Sequence, residues 1–250
     1  GKRPEAYAMA RSVHLADLLA PEEIGREALA RGKARLGAAK GESERVRLVV
    51  DREAAVGLLS RAFGALSAAS IQQKRSFLAD KLDQPIAASC LTIVDDPLIP
   101  RGLGSQHFDG EGIAARQRAV IEEGRLRTFF VDTYYGRKLG WAPTTGGSSN
   151  LIFALGDDDR DGLLKSAGSG IYVTSWNGGN SDATTGDFSF GLSGHRIEDG
   201  AIGAPVSEMN VTGNYLELLE RLVAVGSDPH PWSSMRVPSL LFDGIQVSGT

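Results

Sequence analysis

The feature that most constrains this chain is a change of periodicity near Pro85: apolar residues recur at helical spacing before it, and short β-favouring runs alternate with glycine-bearing turns after it. Leu15, Leu18, Leu19, Ile24, Ala28 and Leu36 predict helix over 15–36, restarted at Pro21-Glu22-Glu23, where a proline suits the first helical turn. Residues 45–50 predict a short strand, with Asp51 as the N-cap of the helix that follows. The Ala- and Leu-rich stretch 52–70 predicts one largely buried helix, with another turn or two over 76–82.

Beyond Pro85, residues 90–94 read as a strand running into Asp95-Asp96 and a Pro/Gly-rich loop. The run Val120 to Arg127 predicts a hairpin turning at Gly124, and Ile197 to Ile202 repeats the form at Gly200. Further strands are predicted over 170–176, 188–192, 206–211 and 239–247. A late helix is predicted over 214–225, where Leu216, Leu219, Leu222 and Val223 share a face. The fold class is α+β, a helical N-terminal third (1–85) packed on a mostly antiparallel, β-rich region (86–250). No linker of disordered composition divides the two, so 1–250 reads as a single domain.

Composition narrows the function classes. With 250 residues, 42% hydrophobic and 23% charged, the chain is an ordinary globular one able to bury a large core. A formal net charge of −4 and the lack of a dense Lys/Arg run argue against nucleic acid as the partner. No apolar run is long enough to span a bilayer and no secretory leader is visible, which predicts a cytoplasmic protein. The chain opens on Gly1-Lys2-Arg3-Pro4 without an initiator methionine, as a processed chain would.

Motif chemistry is mostly negative. The histidines His14, His107, His195 and His230 are too far apart for two to share a helix turn, so the pattern predicts no metal site. Asp157, Asp159, Asp161 and Gly162 fit positions 1, 3, 5 and 6 of an EF-hand loop, but Gly168 stands where the bidentate glutamate is required; the segment reads as an acidic loop capping a short helix over 161–167. The single cysteine, Cys90, excludes an internal disulfide and, in an apolar run, reads as a buried, inert thiol. No nucleophile elbow, Walker A loop or dinucleotide fingerprint occurs. The unusual stretch is Gly178 through Phe188: small residues, hydroxyls and two aspartates between strands, read either as a plain hairpin connection or as a loop that another backbone approaches closely.

Several blocks then resemble one family. Thr92 to Pro97, Gly102 to Ser105, Phe108 to Gly112, Val120 to Leu126, Asp132 to Tyr134, Arg137 to Gly140, Gly170 to Thr174, Thr184 to Ser189, Pro205 to Glu208 and Pro238 to Leu241 resemble, in order, segments of the TldD/TldE (PmbA) proteins, the "modulators of DNA gyrase". The resemblance implies a metallopeptidase system in which TldD-like members carry a His-Glu-x-x-x-His zinc helix and cleave unfolded peptides reached through a narrow channel, while TldE-like members lack the zinc ligands and pair with TldD. The corresponding helix here, within 58–70, has no histidine, and the region of the TldD cysteine ligand reads Gly226 to Pro231. The chain is therefore similar to the C-terminal part of TldE, with the family's N-terminal domain missing.

The resemblance implies a zinc-free partner subunit that helps form the peptide channel, with no cofactor of its own and zinc in a TldD-like partner. It carries no catalytic residue. Peptide-groove or interface candidates are Gly178, Gly179, Asp182, Thr184, Thr185, Gly186 and Asp187, whose exposed backbone is placed to pair with an extended peptide; Asp95 and Asp96 are expected to order their loop. The alternative is a non-proteolytic peptide-binding or scaffold homodimer. A third reading is an independent peptidase using His195 or His230 with aspartates.

Overall fold

The computed structural model describes residues 3–249. Helix α1 (Pro21–Ala34) has Pro21 at its first position, as the sequence predicts, but contributes no buried residue. Strand β1 (Glu44–Val50) ends in Leu48-Val49-Val50, buried on both faces, which is why that run does not alternate. Asp51 then caps α2 (Arg52–Phe63), its carboxylate accepting from Glu53 N at 2.9 Å. The predicted helix over 52–70 is broken: a single 3-10 turn leads to Ser67, whose hydroxyl caps the short α3 (Ala68–Gln72). Residues 76–82 form turns and no helix.

The second half opens with β2 (Ile93–Asp95), β3 (Arg118–Glu122) and β4 (Arg125–Leu126). Glu123 (φ 48) and Gly124 (φ 77) make the two-residue turn between β3 and β4, the left-handed geometry of a tight hairpin. A side chain at Gly124 would also meet Ala87 O at 2.2 Å. Helix α4 (Thr133–Leu139), β5 (Leu151–Phe153) and α5 (Arg160–Ala167) follow. Three long strands, β6 (Gly170–Ser181), β7 (Asp187–Glu198) and β8 (Ala201–Asn214), carry the predicted runs much further than their apolar cores. Helix α6 (Tyr215–Glu220) stops at Arg221, because the rest of the predicted helix is strand β9 (Leu222–Val225), paired with β11 (Leu240–Gly249); β10 (Met235–Arg236) lies between.

The first sheet closes on itself in the order β1-β6-β7-β8-β11, because β1 pairs with both β6 and β11; β9 adds to β11 beyond β8. Only the β1–β6 pairing is parallel. Leu48, Val50, Ile171, Val173, Phe190, Leu192, Met209 and Phe242 belong to one core, which continues through α2 to the second sheet, β10-β5-β2-β3-β4. Val49, Tyr172, Ile197 and Leu241 face the other way and are covered by Leu163, Leu164 and Ala167 of α5. The architecture is α+β, and among the described residues no helix is long and apolar enough to cross a membrane.

The core assignment predicts unequal costs along the helices. Leu59→Ala in α2, at a fully buried position, is expected to lose about 3 kcal/mol in urea unfolding, whereas Leu29→Ala in α1, exposed in the structure, should stay within about 0.5 kcal/mol. Equal effects at the two positions would contradict this core.

Candidate functional site

Strand β6 is longer than its neighbour. Its parallel pairing with β1 covers Ile171 to Val173, and Asp51 N then donates to Val173 O at 2.9 Å. Past that point β7 bonds one side of β6, and among the described residues no further backbone group bonds the other side over 174–181. Residues 174–176 are half-buried and 177–181 exposed. This open edge touches two concavities. Thr174, Ser175 and Trp176 line one of about 540 Å³ between β6, α1 and α2; Asn180 and Ser181 line a wider one of about 900 Å³ at the tip of the β6–β7 hairpin.

Gly178 and Gly179 stand on this edge, where β6 bulges between Asn177 and Asn180. Gly179 has φ 104, and a Cβ there would meet Ser189 O at 2.2 Å, so the backbone requires glycine. Asp182, Thr184, Thr185, Gly186 and Asp187 form the loop beyond, and its polar groups are largely engaged with one another. Thr184 N donates to Asp182 Oδ1 (2.7 Å), Gly186 N to Asp182 O (2.8 Å) and Thr185 Oγ1 to Asp187 Oδ2 (2.8 Å). Phe77 N and Tyr215 N hold Ala183 O and Gly186 O, and Asn214 Nδ2 reaches Asp187 Oδ1 at 2.9 Å. Hydrogen bonds from Asn214 and Thr185 lower the Asp187 pKa. The available backbone thus lies N-terminal to the loop, along 174–181.

Asp95 and Asp96 sit some way off, on the second sheet. Asp95 is buried; its Oδ1 accepts from Ser149 N (2.7 Å) and Ser149 Oγ (2.5 Å), and its Oδ2 from Arg118 Nη2 (3.0 Å). Arg118 also contacts Thr145 and lies over the Phe130 ring. Asp96 Oδ1 accepts from Leu98 N at 3.0 Å. The residue that sequence reasoning passed over is Asn150, wholly buried: it donates to Asp96 O and Ser105 Oγ and accepts from Gly104 N, pinning the loop 96–105 from beneath. Lying in a Gly/Ser-rich run, it carried no signal that set it apart from a linker residue.

The histidines do not converge. His195 Nε2 lies 3.0 Å from Ala34 O, the pairing of a donating N–H with a carbonyl; His14 caps a 3-10 turn; His107 is exposed. His230 is buried, and desolvation lowers its pKa. Asp159 caps α5 through Gly162 N at 3.0 Å, so the helix starts at Arg160, one residue earlier than predicted, and Asp161 pairs with Arg160. Cys90 departs from expectation: it is exposed in a turn ahead of β2, its thiol pushed up by partial desolvation. Among the described residues no three His, Cys, Asp or Glu side chains come together as a metal-binding group. The donor set over 58–70 does not fit zinc: its polar side chains are Ser60, Arg61, Ser67 and Ser70, and the guanidinium of Arg61 would oppose a divalent cation.

A closed barrel fused to a second sheet, with an open strand edge bordered by two concavities, defines the class of α+β architecture to which the chain belongs. Residues 43–249 match the PmbA/TldA metallopeptidase C-terminal domain, and the chain belongs to that family. It is 33% identical over 250 residues to the metalloprotease PmbA of Escherichia coli O157:H7, covering 99% of this chain and 55% of that protein. A Bacteroides thetaiotaomicron structure, solved as a candidate modulator of DNA gyrase, superposes with a TM-score of 0.93 at 45% identity, covering 96% of this chain and 55% of that one. TldE of Thermococcus kodakarensis shares the fold, with a TM-score of 0.81 at 23% identity over 91% of this chain and 55% of that one. The chain spans just over half the length of these relatives.

Two outcomes test this description. Asp95→Asn removes the charge partner of a mostly buried arginine and is expected to cost about 3 kcal/mol in urea unfolding, against about 1 kcal/mol for Asp96→Ala, which loses a turn hydrogen bond and a long, exposed one from Gln117. For His230, the folded pKa lies below the ordinary 6.5, so the unfolded chain takes up the proton first. The stabilising contribution is present above pH 6.5 and is lost as pH falls from there through the lower folded pKa; replacing His230 with Gln should flatten the change in urea midpoint between pH 7.5 and 5.0.

Proposed function

We propose that this chain is the zinc-free, TldE-like half of a cytoplasmic TldD/TldE-type metallopeptidase, and that it walls the channel through which unfolded peptide reaches a zinc-bearing partner. The observation that carries the reading is the open edge of β6. An extended peptide laid along it completes the backbone hydrogen bonds that β1 leaves unmade past Val173, the strand-addition mode of recognition. Main-chain bonding of this kind selects unfolded chains without demanding a sequence, because a folded substrate has already spent its amides. The edge also runs alongside α2, and the stretch 58–70 that begins in it has no histidine where the resemblance places a zinc helix, so on this reading the chain holds a substrate without supplying the metal that would cleave it. The activity, the substrate and the partner all belong to this reading.

The test is hydrolysis of an unstructured peptide by this chain, by a zinc-bearing homologue and by their mixture, each with and without chelator. Activity is expected to rise in the mixture and to vanish with chelator; chelator-sensitive hydrolysis by this chain alone overturns the reading, and peptide binding with no effect of mixing favours the scaffold homodimer. Binding of a labelled eight-residue peptide should weaken at least tenfold when alternate amides are N-methylated, since two or three edge hydrogen bonds of about 1 kcal/mol each are lost. Equal affinity of the two peptides would remove β6 as the docking edge.

A further inference from the structure

The chain ahead of β1 is attached to the body without a core of its own. None of residues 3–42 is buried, and the large apolar side chains of Tyr7, Leu15, Leu29 and Leu36 are exposed. Over 3–12, exposed and half-buried residues alternate as along a strand, and the segment is fastened to α1 by its carbonyls: Arg35 donates to Glu5 O (2.7 Å) and Arg31 to Tyr7 O (3.2 Å). Segment and helix thus form one arm, and polar contacts join it to the rest. Arg31 bonds Glu53 (2.7 Å), Arg35 donates to Ser175 Oγ (3.0 Å), and His195 Nε2 lies 3.0 Å from Ala34 O. Farther along the arm, Asp17 pairs with Arg101 at 3.0 Å. Part-exposed bonds of this kind are individually weak, and the ionic ones are screened by salt.

The arm lies over the groove: Tyr7, Arg31 and Arg35 wall the 540 Å³ cavity opposite α2 and the edge residues Thr174, Ser175 and Trp176. Resting on the proposed peptide groove, we infer that residues 3–36 are a hinged cover, which lifts for a peptide to pair with residues 174–176. The hinge lies at 36–38. Gly37 has φ 77 with open space where a side chain would stand, whereas Ala39 is fixed to β8, its N–H donating to Pro205 O (3.3 Å) and its carbonyl accepting from Ser207 N (3.0 Å). Lifting gives up little apolar contact, since the arm has no buried residue, and segments of that kind are the first to open. It also melts α1, because a 14-residue helix carrying Gly25 and Gly32 is marginal by itself in water. The exposed part of the edge, 177–181, stands clear of the arm, so a peptide engages there first and reaches 174–176 as the arm opens.

The experiment uses the 250-residue chain and a capped, uncharged eight-residue peptide of Ala, Ser and Thr carrying a neutral fluorophore. Stopped-flow anisotropy is expected to show association at least threefold faster in about 0.5 M salt than in about 0.05 M. The double variant Arg31→Ala/Arg35→Ala should associate at least fivefold faster than the unmodified chain in low salt and lose most of the salt dependence. Those two side chains also line the cavity, so Asp17→Ala, which removes only the tie to Arg101, is the control and should speed association at least twofold. Hydrogen exchange without peptide, read by mass spectrometry, should show α1 exchanging at least a hundredfold faster than α2. Association rates indifferent to salt and to the variants, or an α1 protected as well as α2, overturn the cover and leave the groove standing. A gain in the double variant without one in Asp17→Ala assigns the effect to a wider cavity and overturns the cover too. Binding by none of these proteins overturns the groove, and the cover with it. Should a variant not fold, the salt series and the exchange of the unmodified chain still decide.

Discussion

Asp51 makes the junction on which the groove depends. Its N–H finishes the β1–β6 ladder at Val173 O, one carboxylate oxygen caps α2 through Glu53 N, and the other accepts the Tyr172 hydroxyl at 2.6 Å. Each bond forces a consequence. A residue that caps a helix has left the strand, so β1 stops while β6 continues, and the rest of β6 is left without a partner on that side. Tyr172 stays protonated, held so by burial and by the adjacent carboxylate, and ties the outward face of β6 to the start of the helix. The open edge is thus built by the closure of the barrel and is no frayed margin.

An open edge is ordinarily a hazard, since it invites pairing with any other strand. Here the hazard is limited by shape. Gly178 and Gly179 bulge the strand, α2 and α1 stand over its first residues, and the loop 182–187 blocks its far end with polar groups already bonded to one another. The second sheet contributes rigidity at a distance: Asp95, Arg118 and Ser149 form a buried polar cluster, and Asn150 beside them holds the loop 96–105, which would otherwise be a long glycine- and proline-rich excursion.

Much of the fold was legible because local chemistry and tertiary structure agreed. Asp51 capped where a capping residue preceded an apolar period, and Glu123-Gly124 and Asp199-Gly200 turned where two positive φ values were needed. Legibility failed where a contact outside the window decided. Residues Leu222 to Val225 have a helical face in sequence, yet pairing with β11 makes them a strand. The stretch 52–70 is Ala-rich throughout, yet Ser67 restarts the helix. Helix α4 was within reach, with Asp132 as N-cap and Gly140 closing it at φ 72, but its seven residues are too few for a period to show. The candidate loop drew notice through composition, whereas the edge beside it is defined by a missing neighbour, and a sequence does not record what fails to pair with it.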